Sequence, residues 1–154
     1  MERVVKKLIE LNKTVSTMES CTGGGVANAI TNVSNSSWIF KYGAVTYSNE
    51  FKEKMGVDSK VIEEYTVYSM ETANEMSYKI SEFTGSDYGI GVTGKLNRVD
   101  EANPYGDDGL IFISIYDKEN DNFYNREVKA VKETRSENKE LIIDEIIDMM
   151  LAIL

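Results

Sequence analysis

Histidine is absent from the sequence. Serine–histidine–aspartate and cysteine–histidine constellations therefore cannot form within the chain, and histidine-based zinc sites are excluded with them. Cysteine is nearly absent as well. Cys21 stands alone, so there is no intrachain disulfide and no thiolate cage, and a reducing compartment is favoured. Basic residues are in deficit: 17 Lys and Arg face 26 Asp and Glu, for a formal net charge of −9. A surface this acidic repels a phosphate backbone, which argues against nucleic acid as a partner, although a few local donors can still hold one small phosphorylated ligand. No apolar run reaches the length of a membrane span. The opening residues MERVVKKLIELNKT carry charges throughout and lack the core of a signal peptide, so a cytoplasmic protein without membrane association is expected.

What is present fits one globular domain over residues 1–154. Hydrophobic residues make up 42% and charged residues 28%, enough for a core and too apolar for a disordered chain. Val4, Val5, Leu8 and Ile9 follow helical spacing, which predicts a helix over residues 2–12. A short β-rich run, TVSTM at 14–18, predicts a buried strand, and it leads through Glu19-Ser20-Cys21-Thr22-Gly23-Gly24-Gly25 into a helix. A second strand is predicted over GAVTYS at 43–48, then short helices opening at Asn49 and Asp58 and a longer one after Ser69. Tyr88 to Thr93 reads as a third strand. Residues 94–109 hold the only proline and several glycines and read as a site-sized loop. Two strands over 110–116 and 123–131, joined by DKENDN, predict a hairpin, and a last helix runs from Ser136 to Leu154. Helices between the early strands predict an α/β fold: a partly parallel, mixed sheet covered on both faces, with the hairpin on one side.

Four places could carry chemistry. The first is the glycine turn, where Ser20 and Thr22 stand at the carboxyl end of a strand, the edge at which open α/β sheets bind ligands. A structural turn explains the same residues equally well. Cys21 in that turn, with no imidazole to lower its pKa, reads as a small buried hydrophobe. The second is Tyr47-Ser48-Asn49-Glu50-Phe51-Lys52. In a chain without histidine, a desolvated Lys52 is a sensible base for a serine, because burial disfavours the charged amine. A solvated lysine beside Glu50 or Glu53 is the bland alternative. The third is Thr93-Gly94 at the next strand end, and the fourth is Arg135 before the last helix, suited to a phosphate by its paired N–H groups. The bland readings of these two are a turn and a solvated arginine. The carboxylates do not cluster at metal-ligand spacing, so neither a metal nor a cofactor is expected.

In this order, TVSTMESCTGG (14–24), NSS (35–37), GAVTYSNEFK (43–52), VTG (92–94) and Arg135 resemble the CinA C-terminal domain family, whose active members are nicotinamide mononucleotide amidohydrolases. The resemblance spans nearly the whole chain. It implies a three-layer α/β/α sandwich and hydrolysis of the carboxamide of nicotinamide mononucleotide to nicotinic acid mononucleotide and ammonia. It implies Ser20 as nucleophile, Lys52 as base and Tyr47 beside them. Substrate contacts are expected from the turn (Thr22, Gly23, Gly24), from Ser48 and Asn49, and from Thr93 and Arg135. N–H groups of the turn from Thr22 to Gly25 are the expected stabilisers of the oxyanion.

The family's usual companion N-terminal domain has no counterpart here, so a standalone version is expected. A homodimer is a further expectation, with no sequence feature marking an interface. After VTG the family pattern continues with a glycine-rich IAGPxGG-type loop and a KPVG segment. This chain instead reads KLNRVDEANPYGDDG (95–109). That departure keeps open a second reading, a nucleotide-binding or regulatory domain of the same fold without turnover. A structural partner-binding domain is a third, resting on the acidic surface and the apolar C-terminal helix.

Overall fold

A computed structural model describes residues 1–96 and 106–154. Of the expected 94–109 loop, residues 97–105 lie outside the described residues. The chain runs α1 (Glu2–Glu10), β1 (Val15–Glu19), α2 (Gly25–Thr31), a single 3-10 turn (Ser36–Trp38), β2 (Phe40–Val45), α3 (Asn49–Lys54), α4 (Ser59–Tyr65), α5 (Met70–Thr84), β3 (Tyr88–Gly94), β4 (Leu110–Asp117), β5 (Asn122–Lys129) and α6 (Arg135–Ile153). The five strands form one sheet in the order β2-β1-β3-β4-β5. β1 pairs in parallel with β2 and β3, whereas β4 pairs antiparallel with β3 and β5. The mixed sheet carries helices on both faces, as the alternation of elements predicts.

Alternation along the strands divides the interior in two. Ile111, Ile113 and Ile115 of β4 join Val15, Ile90 and Val92 in a core completed by Leu8 of α1, Val26 and Ile30 of α2, and Ile142 and Ile146 of α6. On the other face a smaller cluster holds Met18 and Ala44 against Val57 and, from α5, Met76 and Ile80. α5 reaches the sheet closely because β3 presents glycines to it. A Cβ on Gly91 would stand 2.4 Å from the carbonyl oxygen of Ala73.

Helix starts follow side-chain capping chemistry. Ser48, Asp58 and Ser69 each accept a backbone N–H at the start of α3, α4 and α5. Thr134 and Glu137 form a reciprocal capping box that starts α6 at Arg135. One strand is shifted from its predicted place. β2 spans 40–45, not 43–48, because the chain leaves the sheet after Val45 to begin the turn into α3. Thr46, Tyr47 and Ser48 thus belong to a strand-to-helix corner. β2 is an edge strand with an exposed flank, so its Phe-Lys-Tyr start lacks the apolar alternation that marks a half-buried strand.

This topology fixes where a ligand would be met. The connection from β1 leads through α2 to β2 on one side, and the return from β2 leads through α3, α4 and α5 to β3 on the other. Order therefore reverses at β1, and the carboxyl end of β1 is the switch point of the sheet. Ser20 lies there, its N–H extending the ladder to the Val92 carbonyl at 2.9 Å. Among the described residues, no helix is long and apolar enough to cross a membrane.

Candidate active site at the carboxyl end of β1

Two residues 32 positions apart meet in the interior. The Lys52 Nζ donates to the Ser20 Oγ at 3.1 Å and to the Thr46 carbonyl oxygen at 2.8 Å. Both side chains are buried: Lys52 is 2% exposed and Ser20 7%. Local structure brings this about. Ser48 caps α3 with its Oγ, 3.3 Å from the Phe51 N–H, and the single turn that follows points Lys52 back beneath the corner. That corner is tied to β1 by the Thr46 N–H, which donates to the Glu19 carbonyl at 2.8 Å. The end of β1, the corner and the lysine are therefore one hydrogen-bonded unit.

Glu19, fully buried, holds the glycine turn from below. Its carboxylate accepts from the Thr22 hydroxyl at 2.7 Å and from the N–H groups of Val26 at 3.0 Å and Ala27 at 2.8 Å. It thereby satisfies donors that the start of α2 would otherwise leave open. Sequence reasoning passed over Glu19. Its one signal was a carboxylate between an apolar strand and a glycine run. Gly23 and Gly24 have φ of 62° and 91°, a left-handed conformation that glycine adopts without steric cost. The turn also sorts its own donors. The Gly23 N–H bonds the Ser20 carbonyl at 3.0 Å, and the Gly25 N–H bonds the Thr22 carbonyl at 3.2 Å. Both are closed within the turn, which corrects the expectation that the whole stretch from Thr22 to Gly25 offers donors. The N–H groups of Thr22 and Gly24 bond no acceptor among the described residues.

The remaining candidates divide into groups. Tyr47, 66% exposed, accepts from the Arg135 guanidinium at 3.3 Å, and Arg135 also donates to the Leu96 carbonyl at 2.6 Å. Tyr47 and Arg135 are thus brought together at the rim of the site. Ser48 caps α3, and Asn49 is the first residue of that helix. The hydroxyls of Thr22 and Thr93 are engaged inside the protein: Thr22 with Glu19, and Thr93 with the Val67 carbonyl at 2.7 Å. Neither hydroxyl is turned toward Ser20, because each satisfies a buried acceptor that would otherwise lack a partner. Cys21 is 4% exposed. Burial, only partly offset by its own backbone N–H and the charge of Lys52, pushes its thiol up to about 12, so it stays protonated and poorly nucleophilic.

α6 lies along the turn. Lys139, half-buried, holds its Nζ 3.2 Å from where a Cβ of Gly23 would stand, and Ile143 approaches Gly25 in the same way at 3.3 Å. Sequence reasoning stopped at Arg135. Helical spacing places Lys139 one turn later on the same face, a signal that was available.

Comparisons with known proteins place this architecture in a family. The model of the CinA C-terminal domain matches residues 1–154. A CinA-like protein of Endomicrobium trichonymphae is 42% identical over 117 residues, covering 72% of this chain and 26% of its own length. A second, from Kosmotoga olearia, is 39% identical over 116 residues, covering 75% and 28%. The chain therefore spans about a quarter of these curated relatives. Among solved structures, a competence/damage inducible protein of Agrobacterium tumefaciens superposes with a TM-score of 0.87 at 27% identity, covering 97% of this chain and 90% of that one. The match over the full sequence, the curated relatives and the shared architecture agree: the chain belongs to the CinA C-terminal domain family.

Proposed function

We propose that the chain is an amidohydrolase that hydrolyses the carboxamide of nicotinamide mononucleotide to nicotinic acid mononucleotide and ammonia, with Ser20 as nucleophile and Lys52 as base. The observation that carries this reading is the 3.1 Å contact between the Ser20 Oγ and the Lys52 Nζ in a shielded site. A lysine is a costly residue to bury unless its amine is used, and a serine without a base is a weak nucleophile.

The geometry supports the following steps. With its amine uncharged, Lys52 takes the Ser20 proton as Oγ bonds to the amide carbon. The Thr46 carbonyl, holding the same amine at 2.8 Å, fixes where that proton arrives. Negative charge moves to the amide oxygen, and the N–H groups of Thr22 and Gly24, which bond no acceptor among the described residues, are the donors for it. Each donor of this kind contributes roughly 3 kcal/mol to the barrier reduction. The C–N bond breaks as the Lys52 ammonium returns a proton to the leaving nitrogen, releasing ammonia. Water, deprotonated by the same amine, then cleaves the ester on Ser20 and frees the carboxylate. Tyr47 and Arg135 stand at the rim, where the body of the substrate would lie.

The test is ammonia release from nicotinamide mononucleotide by the wild-type chain, by Ser20→Ala and by Lys52→Ala. Turnover in the wild type and a loss of at least about a thousandfold in each variant support the assignment. Turnover surviving both substitutions rejects the roles. Saturable mononucleotide binding without turnover supports instead the non-catalytic nucleotide-binding domain.

A further inference from the structure

α6 carries two cations along one face. Arg135 and Lys139 are four residues apart, so their side chains emerge one above the other, about 6 Å between Cβ atoms. Among the described residues, Arg135 bonds only neutral oxygens, those of Leu96 and Tyr47. Lys139 is directed at the glycine turn, with its Nζ against Gly23, whose N–H is tied to the carbonyl of Ser20. Neither cation forms an ion pair with a carboxylate among the described residues. The chain has nine more acids than bases, yet these two neighbouring cations face the glycine turn and the Tyr47 corner with no carboxylate against them among the described residues, whereas Lys6, Lys13, Lys54, Lys79, Lys95 and Arg126 each pair with one.

We infer that Lys139 completes, with Arg135, a two-cation seat for the phosphate monoester of the substrate, and that Lys139 makes the chain prefer a nucleotide over the matching nucleoside. This rests on the reading of the site as acting on a pyridine mononucleotide. The chemistry of the two cations is complementary. The guanidinium of Arg135 is held in place by the Leu96 carbonyl and presents paired N–H groups to a planar pair of phosphate oxygens. The Lys139 ammonium adds a point charge from the turn side. The seat lies beside the Ser20–Lys52 pair, so a phosphate bound there leaves the carboxamide end of the molecule for Ser20. Lys139 touches no reacting atom, and its effect belongs in binding.

The measurement is calorimetric titration of the Ser20→Ala protein with nicotinamide mononucleotide and with nicotinamide riboside, which lacks only the phosphate. Each titration is repeated after adding Lys139→Ala. Lys139 is half-buried on a helix, so truncation leaves the core untouched, and Lys139→Arg serves as the restoring variant. Loss of Lys139 is expected to weaken the mononucleotide about tenfold or more and leave the riboside unchanged, with Lys139→Arg recovering most of the affinity. An equal loss for both ligands, or none for either, overturns the seat. Lys139-dependent mononucleotide binding by a chain whose wild type releases no ammonia sinks the amidase and keeps the seat. Absence of mononucleotide binding with Lys139 intact sinks both.

Discussion

The Thr46 carbonyl and the Ser20 hydroxyl share one lysine: the Lys52 Nζ donates to both, at 2.8 and 3.1 Å. Thr46 in turn receives its position from Glu19, the residue before Ser20. Ser20 and Lys52, the proposed nucleophile and base, are therefore placed by adjacent links of one hydrogen-bonded network.

Cys21→Ala is expected to retain more than half of the wild-type activity. The thiol is buried and held protonated by burial, and the substitution removes one sulfur from the core, costing about 1 kcal/mol of stability. Ammonia release by the folded variant checks this. A folded but inactive Cys21→Ala protein would transfer the nucleophile from Ser20 to the thiol.

Glu19→Gln is expected to destabilise the chain by about 2–3 kcal/mol and to lower kcat, with no change in the identity of the nucleophile. The amide must turn an NH2 group toward N–H or O–H donors that now bond a carboxylate oxygen, and bonds to charged acceptors are the stronger ones. Urea unfolding and initial rates on one preparation measure both effects. Unchanged stability would mean the turn is held by its glycines alone.

Gly91→Ala and Gly85→Ala separate close packing from backbone strain. At Gly91 a Cβ would stand 2.4 Å from the Ala73 carbonyl and 2.7 Å from the Ser77 nitrogen, so α5 must move off the sheet, at a cost of about 2–4 kcal/mol. At Gly85, which ends α5 with φ of 74°, nothing stands within 4 Å. Only the left-handed strain remains there, about 1 kcal/mol. Denaturation midpoints rank the two variants, and equal losses would refute the close contact.

Asp87 gives a pH test far from the site. Burial alone would raise its pKa. The backbone N–H and the hydroxyl of Thr14, with Lys13, outweigh that and hold the carboxyl below its ordinary value. A lowered folded-state pKa adds stability that is present above the unfolded value, about 3.9, and is lost as pH falls through the folded one. The stability difference between wild type and Asp87→Asn is therefore expected to be constant from about pH 7 to pH 5 and to shrink below about pH 4. Urea unfolding across that range reads it, and a difference that does not change with pH would contradict the sign.

Much of this was legible in the sequence because it depended on local patterns. The glycine turn after an apolar strand, the capping residues of α4 and α5 and the hairpin were all marked by residue type and spacing. The absence of histidine directed attention to Lys52 as a base for Ser20. What stayed hidden depended on three-dimensional partners. The Thr93 hydroxyl bonds the Val67 carbonyl 2.7 Å away, a partner no local pattern names. Glu19 looks like a surface acid until two N–H groups from α2 close on it. Which amides of the turn stay open depends on how its two positive-φ glycines close it, and no residue type records that.

The account stands on Ser20 forming a covalent bond to the acyl group. Quenching the wild-type chain during turnover of nicotinamide mononucleotide, followed by peptide mass spectrometry, tests this directly. An adduct of the substrate acyl group on the peptide bearing Ser20, absent from Ser20→Ala, is the predicted result. Ammonia release at wild-type rate by Ser20→Ala, with no adduct on any residue of the wild type, would contradict it.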